Sequence, residues 1–320
     1  MHRVVFVVLI AGILSLAPPL RASAEPGALA RAEQLYHDGK YRQSISLLDA
    51  YLKDHPNDVA ALVDRGDDYE ALDQQASAIA DYTAALVINP DYGYALASRC
   101  ESYRELGQNR PAMQDCSAAI QLDPNSAYPY RERAILDIRA DDLPAALADA
   151  NKAVEIMPNS AFGLAIRCHI YVNMQSYESA IADCNRSLVL DPKLENALFQ
   201  RGRAEIGQEK WTAAIGDFNK ALELDARDTG AHYWLALAQS NLGSYPSALT
   251  EIEAYITDNS DDGDGHLLRA QIESKLGNDG EARGSASTAL KEYRVANDLD
   301  GAAKAQKLLD SLGPAPIPSP

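Results

Sequence analysis

Proline returns at a fixed interval of 34 residues, at Pro56, Pro90, Pro124, Pro158 and Pro192. Arginine keeps the same interval at Arg31, Arg65, Arg99, Arg133, Arg167 and Arg201 and, after Leu235 interrupts the series, at Arg269. Two ladders of different chemistry in one register constrain the fold more than any other feature. Each period must encode one supersecondary unit that buries its apolar face against its neighbours. Within a period the apolar residues fall at helical spacing, as in Ile79, Tyr82 and Leu86, or Ala214, Phe218, Ala221 and Leu222. Gly39, Gly107 and Gly243 punctuate the pattern midway. Pro111, Pro144 and Pro246 follow shortly after, where the first turn of a second helix tolerates a missing N–H. No stretch alternates as a strand does. The period therefore predicts two helices and a turn per unit, and an all-α chain.

A 34-residue helical hairpin with small residues at its eighth, twentieth and twenty-seventh positions and proline at its thirty-second resembles the tetratricopeptide repeat. The second period carries Gly66, Ala78, Ala85 and Pro90 at those places, with Tyr69 and Tyr82 at the eleventh and twenty-fourth. The resemblance runs from Glu25 to about Tyr293. It implies an all-α, right-handed solenoid of about eight tetratricopeptide hairpins over residues 25–296, with repeats starting near 25, 59, 93, 127, 161, 195, 229 and 263. Departures gather late: Ala226 and Ser260 replace the closing proline of repeats six and seven, and repeat eight is Ala-rich with Gly280 and Gly284 in its second helix. Residues 297–312 place Ala302, Ala305, Leu308 and Leu309 on one face and Lys304 and Lys307 outward, as a C-terminal capping helix would. The Pro-rich residues 313–320 read as a disordered tail.

Residues 1–24 read as a secretory signal peptide: a basic start at His2 and Arg3, an apolar run from Val4 to Ala17, and Ala22-Ser23-Ala24 as the cleavage site. The expected product starts at Glu25 and is periplasmic or secreted, with no stable membrane insertion after cleavage. The chain holds 46 Asp and Glu against 29 Lys and Arg, a net charge of −17, and cleavage would take it to −19 by removing Arg3 and Arg21. Such a charge opposes nucleic acid and anionic membrane as partners.

All four cysteines occupy matching places in two repeats. The eighth and twenty-fourth residues read Gly66/Tyr82, Cys100/Cys116, Ala134/Ala150, Cys168/Cys184 and Gly202/Phe218. Glycine goes with a ring and cysteine only with cysteine. If the two positions face each other across the hairpin, Cys100–Cys116 and Cys168–Cys184 are disulfides, each closing a loop of about 15 residues and contributing roughly 3 kcal/mol. The alternative is four buried thiols packing as small apolar groups. The arginine ladder has an acidic companion at the twenty-third position, Asp81, Asp115, Asp149, Asp183, Asp217 and Glu251. Counting leaves open whether each Arg meets the acid of its own repeat or of the one before.

No G-x-S-x-G, H-E-x-x-H or phosphate-cradling Gly-rich loop is present, and the histidines are scattered, so the expectation is no enzyme, no cofactor and no metal. Asp258, Ser260, Asp262 and Gly263 begin like a calcium loop, but Arg269 stands where the closing Glu belongs. The resemblance implies instead a groove lined by the second, fifth, ninth, twelfth and thirteenth residues of each repeat. Its early part is acidic, with Glu33, Asp67, Glu70, Glu101 and Glu105. Its later part offers Tyr128, Arg131, Ile135, Arg139, Phe162, His169, Phe199, Arg203, Tyr233 and Leu237 as candidates to hold a peptide, unless several of them are simply core. The expected function is a non-enzymatic protein-protein interaction scaffold that binds a protein or extended peptide on the concave face. The alternative is a structural subunit of a cell-envelope or polymer-export assembly.

Overall fold

The computed structural model describes residues 26–313. The signal-peptide reading and most of the proposed tail lie outside them. The described residues form seventeen α-helices and no strand. Eight helix pairs run from α1 (Pro26–His37) and α2 (Tyr41–Asp54) to α15 (Gly263–Lys275) and α16 (Asp279–Val295), followed by α17 (Leu299–Ser311). The intervening pairs are α3 (Val59–Ala71) with α4 (Gln75–Ile88), α5 (Gly93–Glu105) with α6 (Asn109–Leu122), and α7 (Ala127–Arg139) with α8 (Leu143–Ile156). They continue with α9 (Ala161–Asn173) and α10 (Tyr177–Leu190), α11 (Glu195–Gly207) and α12 (Trp211–Leu224), and α13 (Thr229–Asn241) and α14 (Tyr245–Asp258). The chain divides into two compact units, unit 1 ending at Ile166 and unit 2 beginning at Arg167. Each is a stack of tetratricopeptide-type hairpins.

Small residues let the paired helices approach closely. The eighth and twenty-fourth positions do face each other: a Cβ added to Gly66 would lie 2.6 Å from the Tyr82 ring, and one added to Gly202 would lie 2.8 Å from Phe218. Both rings are fully enclosed. The same two places hold the Cys100–Cys116 and Cys168–Cys184 disulfides, with Cα atoms 5.5 and 5.6 Å apart, and no free cysteine remains among the described residues.

From the second repeat to the sixth, the arginine ladder pairs within the repeat. Arg65, Arg99, Arg133, Arg167 and Arg201 each place Nε and Nη2 on the two oxygens of Asp81, Asp115, Asp149, Asp183 and Asp217, at 2.6–2.9 Å. The remaining Nη1 reaches back to the previous repeat, to Asp49, Thr83, Ser117 and Asn185 for Arg65, Arg99, Arg133 and Arg201. One guanidinium thus braces a hairpin with its planar fork and ties it to its neighbour. The gap at Leu235 is filled from one turn earlier, where His232 Nδ1 lies 2.6 Å from Glu251. In repeat eight Arg269 turns to Glu273, which also accepts from Ser285.

Every hairpin turns through one left-handed residue: Gly39, Asp73, Gly107, Asp141, Gln175, Glu209, Gly243 and Gly277 all have φ between 57° and 80°. The repeat boundary without proline at Ala226 is kept by Asp225, whose carboxylate accepts from the Arg227 N–H, as Asp123 and Asp191 do before their prolines. Asp262, the centre of the calcium-like run, caps α15 by accepting from the Gly265 N–H and from the Tyr255 hydroxyl. In α17, Ala305 is buried and Ala302, Leu308 and Leu309 pack on Leu267, Leu290 and Tyr293.

Candidate functional site

The first helices carry two clusters of polar and aromatic side chains, one in each unit.

In unit 1, α5 and α7 build a compensated network. The Tyr128 hydroxyl donates to Glu101. Arg131 lies over the Tyr128 ring at 4.7 Å and the Phe162 ring at 4.9 Å, while its Nε donates to Glu132 at 2.8 Å. Glu132 has no exposed surface and also accepts from Arg104 at 2.8 Å. Burial opposes its charge, but the two guanidiniums outweigh burial and hold it below the usual carboxylate range. Arg139 donates to the Arg104 carbonyl at 2.7 Å. Ile135 is half-buried on the same helix. The structure therefore brings Tyr128, Arg131 and Phe162 together, with Arg131 neutralised from inside the protein.

Next to it on α3 and α5 lies an acidic cluster of different character. Asp67 accepts from Tyr82 at 2.7 Å and from Tyr94 at 3.0 Å; Glu70 accepts from Ser102 at 3.0 Å and faces the Tyr82 hydroxyl at 3.3 Å. These partners are hydroxyls, not cations. Burial, with the charges of Asp64 and Asp68 behind it, lifts Asp67 to about 8. Burial followed by the charges of Glu101 and Asp67 raises Glu70 well above its usual range.

In unit 2, α9, α11 and α13 gather His169, Arg203 and Trp234. The Arg203 guanidinium donates to Gln200 at 3.0 Å and to Asn173 at 3.4 Å, and lies over the Trp234 ring at 5.4 Å. Its partners are neutral amide oxygens, whereas Arg65, Arg99, Arg133, Arg167 and Arg201, like Arg104 and Arg131, meet carboxylates. Burial keeps Arg203 below its ordinary range. Burial, then the Arg203 charge, brings His169 down to about 4, so the imidazole is neutral at pH 7. Tyr233 packs edge-on to Trp234 at 5.4 Å and against Tyr255 at 5.2 Å. Two other candidates are chiefly packing residues: Phe199 sets its edge on the enclosed Phe218, and Leu237 packs on the core of Ala236, Ala248 and Ile252.

The residues the sequence reading passed over share one place, the sixth of each repeat: Glu132, Gln200 and Trp234. The signal was present. That column reads Ala30, Asp64, Ser98, Glu132, Ile166, Gln200, Trp234 and Leu268, and five of the eight are polar or aromatic in a register where a buried helix face is ordinarily aliphatic.

The tetratricopeptide repeat family profile matches residues 29–93 and 199–263. No curated protein matches the chain in sequence. Among solved structures, the chain is similar to one in the APC/C hetero-tetramer Cut9–Hcn1, at 14% identity over 90% of this chain and 55% of that one, with a TM-score of 0.72. It spans about half the length of that protein. It is also similar to PilF of Pseudomonas aeruginosa (17% identity, 68% of this chain and 97% of that one, TM-score 0.58) and to the type IV pilus biogenesis factor PilW (17%, 67% and 98%, 0.59). The profile marks tetratricopeptide repeats over those two stretches, and the solved structures share the all-α repeat fold. At these identities the likeness to the solved structures is one of fold.

Proposed function

We propose that the chain is a non-enzymatic scaffold that binds an extended segment of a partner protein on the first-helix face of its repeats, the concave face in this fold. The observation that supports this reading is Arg203. A guanidinium held partly out of water against Trp234, with only amide oxygens as partners, keeps a full positive charge that nothing in its surroundings neutralises. A carboxylate on a bound segment would supply what the fold withholds. Tyr233 and Trp234 beside it offer rigid ring surface, the kind of anchor that interfaces use. The two disulfides fit an oxidising compartment, in keeping with export.

The test is site-specific photo-crosslinking in the native host. A crosslinker at Asn241, exposed on the first-helix face, should capture a partner, and one at Val189, exposed on α10, should not. Arg203→Gln should reduce capture from Asn241 about tenfold with unchanged helicity. Capture from Val189 that ignores Arg203→Gln would favour the structural-subunit reading.

A further inference from the structure

The first-helix face of unit 1 contains one arrangement twice, once complete and once without its cations. Shifted by one repeat of 34 residues, Tyr94 corresponds to Tyr128, Asp67 to Glu101, Ser98 to Glu132, Ala97 to Arg131 and Glu70 to Arg104. In the later copy a tyrosine hydroxyl donates to a carboxylate, Arg131 lies over that tyrosine, and Arg104 adds a second guanidinium. The earlier copy keeps the tyrosine and the carboxylate, with Tyr94 donating to Asp67. The two arginine places hold alanine and a further acid.

Three observations mark this earlier copy as unfinished. Tyr82 has a single hydroxyl proton yet lies between Asp67 at 2.7 Å and Glu70 at 3.3 Å. Burial favours the protonated form of this pair, and once both acids ionise one of them faces a phenol lone pair unless a cation joins them. Ser98, one turn beyond Tyr94 on α5, is only 1% exposed, and its hydroxyl, which approaches the Tyr94 side chain, completes no well-formed hydrogen bond, an uncommon state for an enclosed polar atom. Tyr94 is 45% exposed, whereas the corresponding ring of Tyr128 is covered by Arg131.

We propose that this surface takes the guanidinium of an arginine side chain from an extended segment of a partner protein, laid over the Tyr94 ring with its N–H groups on Asp67 and Glu70. The internal copy is the template for that choice. A guanidinium offers five donors in a plane and stacks on aromatic faces, which suits carboxylates from one helix and a ring from the next. A divalent cation suits them less: no group of three His, Cys, Asp or Glu among the described residues converges as metal ligands. The site uses only unit 1 residues, so it stands or falls separately from the Arg203 site.

Calorimetric titration of the full chain tests it with four probes: acetyl-Gly-Gly-Arg-Gly-Gly-amide, its citrulline and lysine analogues, and free L-arginine. The arginine peptide should bind, and the isosteric neutral citrulline peptide should bind at least about tenfold more weakly. Asp67→Asn and Glu70→Gln, which keep shape and remove charge, should each lower the arginine-peptide affinity about tenfold, while Arg203→Gln should leave it unchanged. Circular dichroism and urea unfolding of the variants establish that they fold. Absence of binding, equal binding of the citrulline peptide, or indifference to Asp67→Asn and Glu70→Gln would overturn the proposal. Equal binding of the lysine peptide would overturn the guanidinium assignment, and equal binding of free L-arginine the assignment to a partner segment.

Discussion

At the level of single residues, repetition decides what a sequence can disclose. Gly66 opposite Tyr82 and Gly202 opposite Phe218 are legible because other repeats place Cys or Ala in the same two positions, so one side chain can be read as making room for the other. The turn residue is less legible. Glycine marks it at Gly39, Gly107, Gly243 and Gly277, but Asp73, Asp141, Gln175 and Glu209 adopt the same left-handed backbone without advertising it. There the closure of the hairpin outweighs a local preference, since the left-handed region costs a non-glycine residue roughly 1 kcal/mol. Gln175, at φ 58° and exposed, is the clearest case. Gln175→Gly should raise the unfolding free energy by about 0.5–1 kcal/mol, net of the entropy glycine adds to the unfolded chain. A urea midpoint equal to or below that of the parent would show that the turn is not strained.

At the level of elements, hairpins two to six are braced at the same two heights by whatever their sequence supplies. One height is the Arg–Asp pair, replaced in repeat seven by His232 and Glu251; a reading of identity at fixed positions sees only a gap there, because the substitute arrives from one turn away. The other height is filled by ring and glycine, by a disulfide, or by Ala134 and Ala150. That last pair shows that a hairpin of this chain tolerates two alanines at the disulfide positions. The Cys168→Ala, Cys184→Ala double variant should therefore fold, with an unfolding free energy lower by about 2–4 kcal/mol because a loop of about 15 residues is no longer closed in the unfolded chain. Comparison of urea midpoints, with the parent also measured under reductant, decides it. The parent should lose stability on reduction and the variant less; a variant as stable as the oxidised parent would leave the bridge without a structural role.

At the level of the whole molecule, the composition announced an acidic protein with a net charge of −17, and the structure shows where part of that acidity is held back. Burial, the largest cause in each case, raises Asp67 to about 8, Asp68 to about 7, Asp137 to about 6, Glu195 to about 8 and Glu205 to about 7. Sequence alone could not give this: helical spacing assigns a face, but the degree of burial depends on the neighbouring repeat. A carboxyl whose folded pKa exceeds its unfolded value keeps its proton on folding, so its stabilising contribution is complete below about pH 4 and is lost as pH rises through the folded pKa. His169 runs the other way, since burial depresses it to about 4 and its neutral form must be protonated as pH falls from about 6.5. With Glu70 and Glu101 also raised, seven acids stand against His169 and the lowered Glu132 and Asp38 and put the stability maximum on the acid side of neutrality: the urea midpoint should be higher at pH 5.5 than at pH 8. Repulsion among surface acids would give the same sign, but it is screened by salt, whereas the burial of a carboxyl is not. The difference should therefore persist in about 0.5 M salt, where the screening length is only a few ångström. It should narrow in Asp67→Asn, which has no proton to lose. A midpoint that rises toward pH 8, or a difference that vanishes with salt, would mean that these carboxyls are ionised in the folded protein and that the surface charge alone governs its response to pH.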